Sequence, residues 1–471
     1  MRNALGWAAG TRFIAQMANW ALTLATIRFL QPEEYGLMAM TVAITGLVQA
    51  FGSAGFGDAI VQRRDIGETE LRSVFGLILL VNAACLAALC VLAYPAAYFY
   101  GEPRLVPLIQ VSSLLFVVIA FQTIPRATLD KRLDMKTVSQ IELLSNVISG
   151  VLVLGLAAAG LGVWALIIGL LFGSFFRLAA FNYAAPFFLP PRFAFREVSG
   201  ILRAGWLRSG EGILWYAYSS ADVFIIGKLL GPDILGIYSV ARNLAALPID
   251  KLASVVKPVV FPAFAKIQND QATALVYLQK ALRLLAFLTL PVFFGISAVA
   301  PWITGVVLGP KWHDAILPLA ILALAMALRP VGLILYTFLI GIGQFGASFK
   351  NTVFASILFP TAFLIGSHWG LLGVCTAWLV VYPLYFFSLL RRVALVANTS
   401  MMTLIQPLLP PLVGSLTMYI AVGGMATALP TDIDQVEGLL FLAASGAAIY
   451  LGYSLFLMRG MFVEVLSFAR R

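Results

Sequence analysis

The sequence predicts an all-α polytopic membrane protein of about 14 transmembrane helices, arranged as two pseudo-symmetric six-helix bundles plus two C-terminal helices. Composition is the first reason: 61% of the 471 residues are hydrophobic and only 11% are charged, whereas about 25% are charged in soluble domains. The second is that apolar stretches of about 20 residues recur, enough for one helical crossing of the bilayer. An outer-membrane β-barrel is disfavoured, because it would alternate over ~10-residue segments.

Fourteen apolar segments are long enough to span a bilayer, and no linker between them could hold a soluble domain. The first segment carries Arg12 and lacks a small-residue cleavage site, so it is predicted to be a membrane helix and not a signal peptide. The predicted spans are 4–29, 35–60, 73–99, 104–125, 138–159, 163–185, 203–229, 234–260, 275–300, 314–340, 350–368, 371–390, 403–428 and 437–458.

The distribution of basic residues predicts the orientation. Of the 31 Lys and Arg residues, 20 lie at the two termini and in every second loop, 4 lie on the opposite side, and the others lie within spans. Cytoplasmic loops of membrane proteins carry an excess of Lys and Arg. Both termini are therefore predicted to be cytoplasmic, and the net charge of +10 is mostly a topology signal.

One short motif occurs twice, 200 residues apart. "RFLQPEEYGLM" begins at Arg28 and "GKLLGPDILGIY" begins at Gly227, with Pro32 matching Pro232 and Gly36 matching Gly236. Proline ends a helical hydrogen-bond ladder, and glycine permits close backbone approach. We interpret the motif as an external elbow between two helices, with a mainly architectural role and an external gate as the alternative.

Further matches extend this repeat along the chain. "GLGVWAL" near Gly162 resembles "GLLGVCTAW" near Gly373, and Phe175-Phe176 aligns with Phe386-Phe387. Two parallel repeats with a substrate site between them are a known transporter plan. We therefore predict one six-helix bundle over residues 1–200, a second over 201–397, and two further helices with a cytoplasmic tail over 398–471.

Polar side chains form one-sided stripes on two predicted spans that the repeat pairs with each other. Their spacing of three and four residues places each set on one helical face. Such stripes either line a shared aqueous cavity or join helices through hydrogen bonds. The residues are Arg12, Gln16 and Asn19 on span 1, and Arg208, Glu211, Trp215, Tyr218 and Asp222 on span 7.

Other charged residues within spans are also candidates for a functional site, because a charge inside the bilayer is energetically costly. Arg242 and Arg329 lie within spans 8 and 10, and basic residues outnumber acidic ones across the spans. Arginine binds phosphate groups bidentately. We therefore predict a basic substrate cavity that uses Arg12, Arg208, Arg242 and Arg329.

Carboxylates within the spans are candidates for ion coupling, because burial in a dry interface raises a carboxylate pKa. Glu142 shares a face of span 5 with Ser145 and Ser149, and Asp222 and Asp250 lie in spans 7 and 8. Proton or sodium antiport is one expectation for the driving force. Uniport down the substrate gradient is the other.

Several other classes of function lack their sequence signatures. The three cysteines and two histidines have no metal-ligand spacing, so no metal and no organic cofactor are expected. The scattered basic residues lack aromatic platforms, so no nucleic-acid partner is expected. A membrane polymerase or ligase would need a sizeable external loop, and the longest is about a dozen residues. We expect no enzymatic activity.

Five segments resemble a known family. "RFLQPEEYGLMAM", "IPRATLDKRLDMK", "GLGVWALIIG", "DVFIIGKLLGPDILGIYSVARNLAALP" and "VVFPAFAKIQND" are similar to the polysaccharide transporter family. These are the Wzx-type lipid-linked oligosaccharide flippases of the multidrug/oligosaccharidyl-lipid/polysaccharide exporter superfamily. The resemblance covers about residues 1–400 and is most specific from Asp222 to Asp270.

This resemblance implies a V-shaped pair of bundles, alternating access, and export of an undecaprenyl-pyrophosphate-linked oligosaccharide across the bacterial inner membrane. The expected partners are that lipid-linked substrate, membrane lipids, and the polysaccharide polymerase and export machinery. A lipid II flippase is an alternative with the same span count. A cation-coupled multidrug exporter of the same superfamily is another, but an acidic cavity would be expected there.

Overall fold

In the computed structural model, all regular secondary structure in the described part of the chain is helical. The structure describes residues 20–52, 57, 60–61, 67–194, 212–267, 270–430 and 433–460. We number the helices α1 (20–29), α2 (Pro32–Gly52), α3 (Glu68–Tyr100), α4 (Leu105–Ser112), α5 (Leu115–Lys131), α6 (Met135–Ala158), α7 (Val163–Ala184), α8 (212–219), α9 (Ala221–Lys266), α10 (Gln271–Ala298), α11 (Ala300–Ile303), α12 (Ile316–Met326), α13 (Arg329–Gly341), α14 (Phe345–Ser367), α15 (Gly370–Val396), α16 (Met401–Ile405), α17 (Leu409–Ala428) and α18 (Gln435–Leu457).

The prediction of an all-α polytopic membrane protein is confirmed. Eleven helices within the described residues are long and apolar enough to cross a membrane. One of them runs from Gly212 to Ile249 and covers parts of two predicted spans. Most of the predicted first span lies outside the described residues, and the total of fourteen stays a prediction.

The second elbow is a break inside α9. Gly231 has φ 86° and ψ 176°, a conformation that residues with a side chain rarely adopt. Pro232 follows directly and opens the second limb of the helix, as Pro32 opens α2. Each proline lies where the preceding helix has ended, in line with our interpretation of the motif, and it occupies the first position of the next helix, where its missing N–H costs nothing.

Two predicted spans are interrupted near their middle. Span 4 is divided between α4 and α5 at residues 113–114, and span 10 is divided between α12 and α13 at residues 327–328. Pro330 lies in the first turn of α13, where a proline is tolerated. As a consequence, Arg329 is the first residue of a new helix.

The chain divides into two compact units, Met1–Gly236 and Ile237–Arg471. In the first unit, α6 and α7 pack closely through small residues. Ser145 and Ser149 of α6 donate hydrogen bonds of 2.6 and 2.7 Å to the carbonyls of Gly173 and Gly169 on α7. Small residues spaced by four let helix backbones approach in a membrane, and hydroxyl donors strengthen the pair.

In the second unit, α17 and α18 pack against α10. Phe287 of α10 shares an apolar cluster with Met418 and Val422 of α17 and with Leu442 and Tyr450 of α18. The Tyr450 hydroxyl donates a 2.9 Å hydrogen bond to the Phe287 carbonyl. The last two predicted spans are therefore integral to this unit. The predicted division of the chain at residues 200 and 397 stays a prediction.

Candidate functional site

Several of the predicted site residues cannot be located. Arg12, Gln16, Asn19, Arg208 and Glu211 lie outside the described residues, and the same holds for the side chain of Asp250. The polar stripe of span 1 and its counterpart at the start of span 7 therefore stay predictions.

The rest of the span 7 stripe lies on α8 and at the start of α9. Trp215 is 55% exposed and Tyr218 is half-buried. Between them, the Tyr216 hydroxyl donates a 2.9 Å hydrogen bond to the Val42 carbonyl on α2. Tyr216 thus anchors α8 to α2, whereas Trp215 is accessible, as a cavity-lining or lipid-facing side chain would be.

Asp222 has a different environment from the other stripe residues. It is fully buried, and its Oδ1 accepts a 2.9 Å hydrogen bond from the Val223 backbone N–H. A buried carboxylate in a membrane helix is energetically costly and is a functional candidate by default. The geometry keeps Asp222 as a candidate for ion coupling.

Glu142 lies in a setting that differs from the dry interface on which its prediction depended. Its carboxylate is 39% exposed and forms a 2.7 Å salt bridge with Arg126 of α5. Ser145 and Ser149, on the same face, donate to backbone carbonyls of α7. This face therefore joins helices by hydrogen bonds, which was the alternative for polar stripes, and ion coupling through Glu142 stays a prediction.

Arg177 of α7 is near this ion pair. It donates a 3.0 Å hydrogen bond to Ser174, and its Nε is buried with no hydrogen-bond acceptor among the described residues. Arg126 also contacts Asp130 at 3.7 Å. The charges where α5, α6 and α7 meet thus nearly balance, which is the pattern of a structural network.

Two predicted arginines converge in the second unit. The guanidinium carbon of Arg242 on α9 lies 5.9 Å from the ring centroid of Trp378 on α15, and that of Arg329 on α13 lies 5.6 Å from it. Both distances are in the range of a cation–π interaction. Two arginines from different helices, 87 positions apart in the sequence, therefore contact the same tryptophan.

Trp378 is fixed by its surroundings. It is only 4% exposed, and its Nε1–H donates a 2.7 Å hydrogen bond to the hydroxyl of the fully buried Tyr238. Its ring centroid lies 5.1 Å from those of Phe359 and Phe363. A buried hydrogen bond and packed rings leave the indole little freedom.

Arg329 forms no salt bridge with an acidic residue in the part of the chain that the structure describes. It is half-buried, and its guanidinium carbon lies over the ring of Trp378. It also begins α13, where the helix dipole favours an anion. A guanidinium has five N–H donors and no acceptor, so this position is suited to an anionic oxygen ligand.

A buried amide lies next to this arrangement. Asn351 of α14 is fully buried and accepts a 3.1 Å hydrogen bond from Ser388 of α15, while its Nδ2 has no acceptor among the described residues. Tyr385 is close enough to both Asn351 and Arg329 to interact with them. The polar groups of Asn351, Tyr385 and Ser388 thus extend the arginine site.

Sequence reasoning found the two arginines but missed Trp378, Tyr385, Asn351 and Ser388. Aromatic residues make up 12% of the chain, so no single tryptophan stands out. The available signal was polar: Asn351 and Ser388 interrupt otherwise apolar spans.

The family model for "Polysaccharide biosynthesis protein" matches residues 25–317. This is more than half of the chain. The protein belongs to this family. It is therefore a multi-pass membrane protein from a family of transporters, and the resemblance seen in the five sequence segments is confirmed.

Named relatives of this family are similar along most of the chain. Lipopolysaccharide biosynthesis protein WzxC of Escherichia coli (strain K12) is 30% identical over 365 residues, which is 75% of this chain and 73% of WzxC. Succinoglycan biosynthesis transport protein ExoT of Rhizobium meliloti (strain 1021) is 24% identical over 383 residues, 80% of this chain and 76% of ExoT.

A solved structure shares the fold of the chain. The inward closed conformation of the lipid II flippase MurJ superposes with a TM-score of 0.81, covering 97% of this chain and 99% of MurJ at 16% identity. At that identity the likeness concerns the fold alone. It confirms the fold predicted from the sequence, in which helical bundles are followed by further helices.

Proposed function

We propose that the protein flips oligosaccharide repeat units linked to undecaprenyl diphosphate across the bacterial cytoplasmic membrane, for the synthesis of a surface polysaccharide. The observation that carries this proposal is the pair of arginines on Trp378, inside the apolar part of the chain. Family membership and the relatives named for polysaccharide biosynthesis and transport support it.

The cargo poses a defined physical problem. Its diphosphate and sugars are strongly hydrated, whereas its apolar polyprenyl tail dissolves in the hydrocarbon core of the bilayer. Moving bare charge into hydrocarbon costs several kcal/mol or more. Arginines within the membrane-spanning part lower that barrier, because charge-assisted hydrogen bonds replace the lost hydration.

Lipid II transport is the second candidate. A lipid II flippase also carries a diphosphate, so Arg242 and Arg329 suit either cargo. A multidrug exporter for cations is disfavoured, because two arginines converge on Trp378 and a basic site repels a cation.

The energy source is proposed as a proton or sodium gradient acting on Asp222, with Glu142 and Asp250 as the other candidates. The buried Asp222 carboxylate supports this assignment. Uniport down the gradient of lipid-linked substrate is the alternative. Polysaccharide polymerase and export proteins are the proposed downstream partners.

Deletion of the gene in the host bacterium tests the function. The cells are fed labelled sugar nucleotides. A membrane-impermeant sugar-modifying enzyme then reports which face of the membrane holds the labelled lipid-linked repeat units. Accumulation at the inner face, with loss of surface polymer and normal peptidoglycan, supports the proposal. Arrest of cell-wall synthesis with normal surface polymer would support lipid II transport instead.

A further inference from the structure

We propose that Trp378 is a positioning residue that holds Arg242 and Arg329 as a two-arginine clamp, and that this clamp selects a diphosphate over a monophosphate. The inference rests on the proposed function and deepens it. It assigns a role to a residue that carries no charge and that is buried beneath the charges it would organise.

The argument begins with the rigidity of the platform. The Trp378 indole is anchored by the hydrogen bond to Tyr238 and by ring contacts with Phe359 and Phe363. Tyr238 is itself fully buried. The platform therefore cannot rotate without breaking a buried hydrogen bond.

The second step concerns the arginine side chains. A free arginine side chain samples many rotamers, and fixing it on binding has an entropic cost. Stacking on an aromatic face restricts the guanidinium before ligand arrives. Arg242 and Arg329 come from α9 and α13, and both rest on the one ring.

The third step concerns the shape of the ligand. Both guanidinium carbons lie within about 6 Å of the same ring centroid, and in the proposed clamp a diphosphate places one phosphoryl group at each arginine. A monophosphate engages only one of them fully. Losing one charged hydrogen-bonding partner corresponds to roughly a tenfold loss in affinity.

Binding measurements with the full chain in lipid nanodiscs test the inference. The probes are farnesyl diphosphate and farnesyl monophosphate, which share their tail and differ in one phosphoryl group. The wild type should bind the diphosphate roughly tenfold more tightly. Trp378→Leu should remove most of that preference, and Trp378→Phe should keep part of it, because a smaller ring still offers a π face.

Two further variants separate positioning from general packing. Phe338→Leu is the matched control, since Phe338 is a buried aromatic residue of α13 that packs on Phe264; it should keep the wild-type preference. In an Arg329→Gln background, Trp378→Leu should have a much smaller effect, because a positioning residue acts through the arginine it holds.

Three results would overturn the inference. Equal binding of both probes by the wild type would exclude a clamp that selects the diphosphate. The proposed function is tested separately, by the phenotype of the deletion strain. An unchanged diphosphate preference in both Trp378 variants would exclude the positioning role of Trp378 but not the two-arginine clamp. An effect of Trp378→Leu that is as large without Arg329 as with it assigns Trp378 to packing.

Discussion

Gly36 and Gly236 each lie against the backbone of the other's elbow. A Cβ atom on Gly36 would overlap the carbonyl of Pro232, and one on Gly236 would overlap the carbonyl of Pro32. The two copies of the elbow are therefore in reciprocal contact, with each glycine facing the proline of the other copy. This explains why the same residues recur 200 positions apart.

The reciprocal contact predicts that alanine is poorly tolerated at either glycine. Gly36→Ala and Gly236→Ala should each lower stability by roughly 1–3 kcal/mol, because the obstructing atoms are backbone and cannot rotate away. Thermal unfolding in detergent measures this. Gly424→Ala is the control, because no atom lies within 4 Å of a Cβ there; equal melting temperatures for all three variants would contradict the contact.

The position of Arg329 on the Trp378 ring predicts a functional role for this arginine. Arg329→Ala should reduce surface polymer strongly with normal membrane insertion, from a binding loss of roughly 1–3 kcal/mol. Arg329→Lys should restore only part of it, because lysine lacks the planar fork. Arg283→Ala, at an exposed position, is the control. Normal polymer from alanine variants at Arg12, Arg208, Arg242 and Arg329 alike would exclude the basic cavity.

The packing of α6 on α7 predicts a structural role for Ser145 and Ser149. Replacing either with alanine should cost about 0.6 kcal/mol, the average for hydrogen bonds between membrane helices. Gly173→Leu should cost more, because Ser149 occupies the space that the new side chain needs. Unfolding in mixed detergent micelles measures these losses. A transport defect with unchanged stability in the serine variants would instead place them in a cavity.

The loop between α3 and α4 predicts a pH dependence. Arg104 forms salt bridges with Glu102 and Glu33, and its hydrogen bond lowers the pKa of Glu102. A lowered folded-state pKa contributes stability that is complete above the unfolded pKa and is lost as pH falls through the folded value. The exposed pair contributes no more than about 1 kcal/mol.

The corresponding experiment compares the wild type with Arg104→Gln. Their melting temperatures should differ at about pH 7 and converge as the pH falls through the lowered folded-state pKa of Glu102. A difference that is constant over this range would mean that Arg104 acts by packing and not by charge.

The predictions that succeeded from sequence were those that depend on local pattern. Apolar length identified the membrane helices, and the repeated elbow identified both the helix break near Gly231 and the close approach at Gly36 and Gly236. Pro32 and Pro232 each follow a helix break and also begin the next helix, because proline is compatible with both an end and a beginning of a helix.

The features that the sequence did not reveal depend on contacts between distant residues. The pairing of Glu142 with Arg126 crosses a loop, and the convergence of Arg242 and Arg329 on Trp378 joins three helices. Span 10 is divided directly before Arg329, and Pro330 is the sequence feature that marks the division. We predicted one continuous span there because the sequence is apolar on both sides of Pro330.

Orientation of the chain remains a prediction with a simple test. The excess of Lys and Arg on one side places the loop from Arg126 to Lys136 and the C-terminus in the cytoplasm. Reporter fusions after Lys136 and after Arg471 should both give cytoplasmic signals. A periplasmic signal at either position would overturn the fourteen-span topology.

Reconstituted flipping tests the central claim most directly. Purified protein is placed in liposomes with the lipid-linked repeat units extracted from the deletion strain, and a membrane-impermeant sugar-modifying enzyme reports which leaflet they occupy. The account predicts that protected repeat units become accessible with the wild type, far more slowly with Arg329→Ala, and not in empty liposomes. Equal accessibility in all three preparations would contradict it.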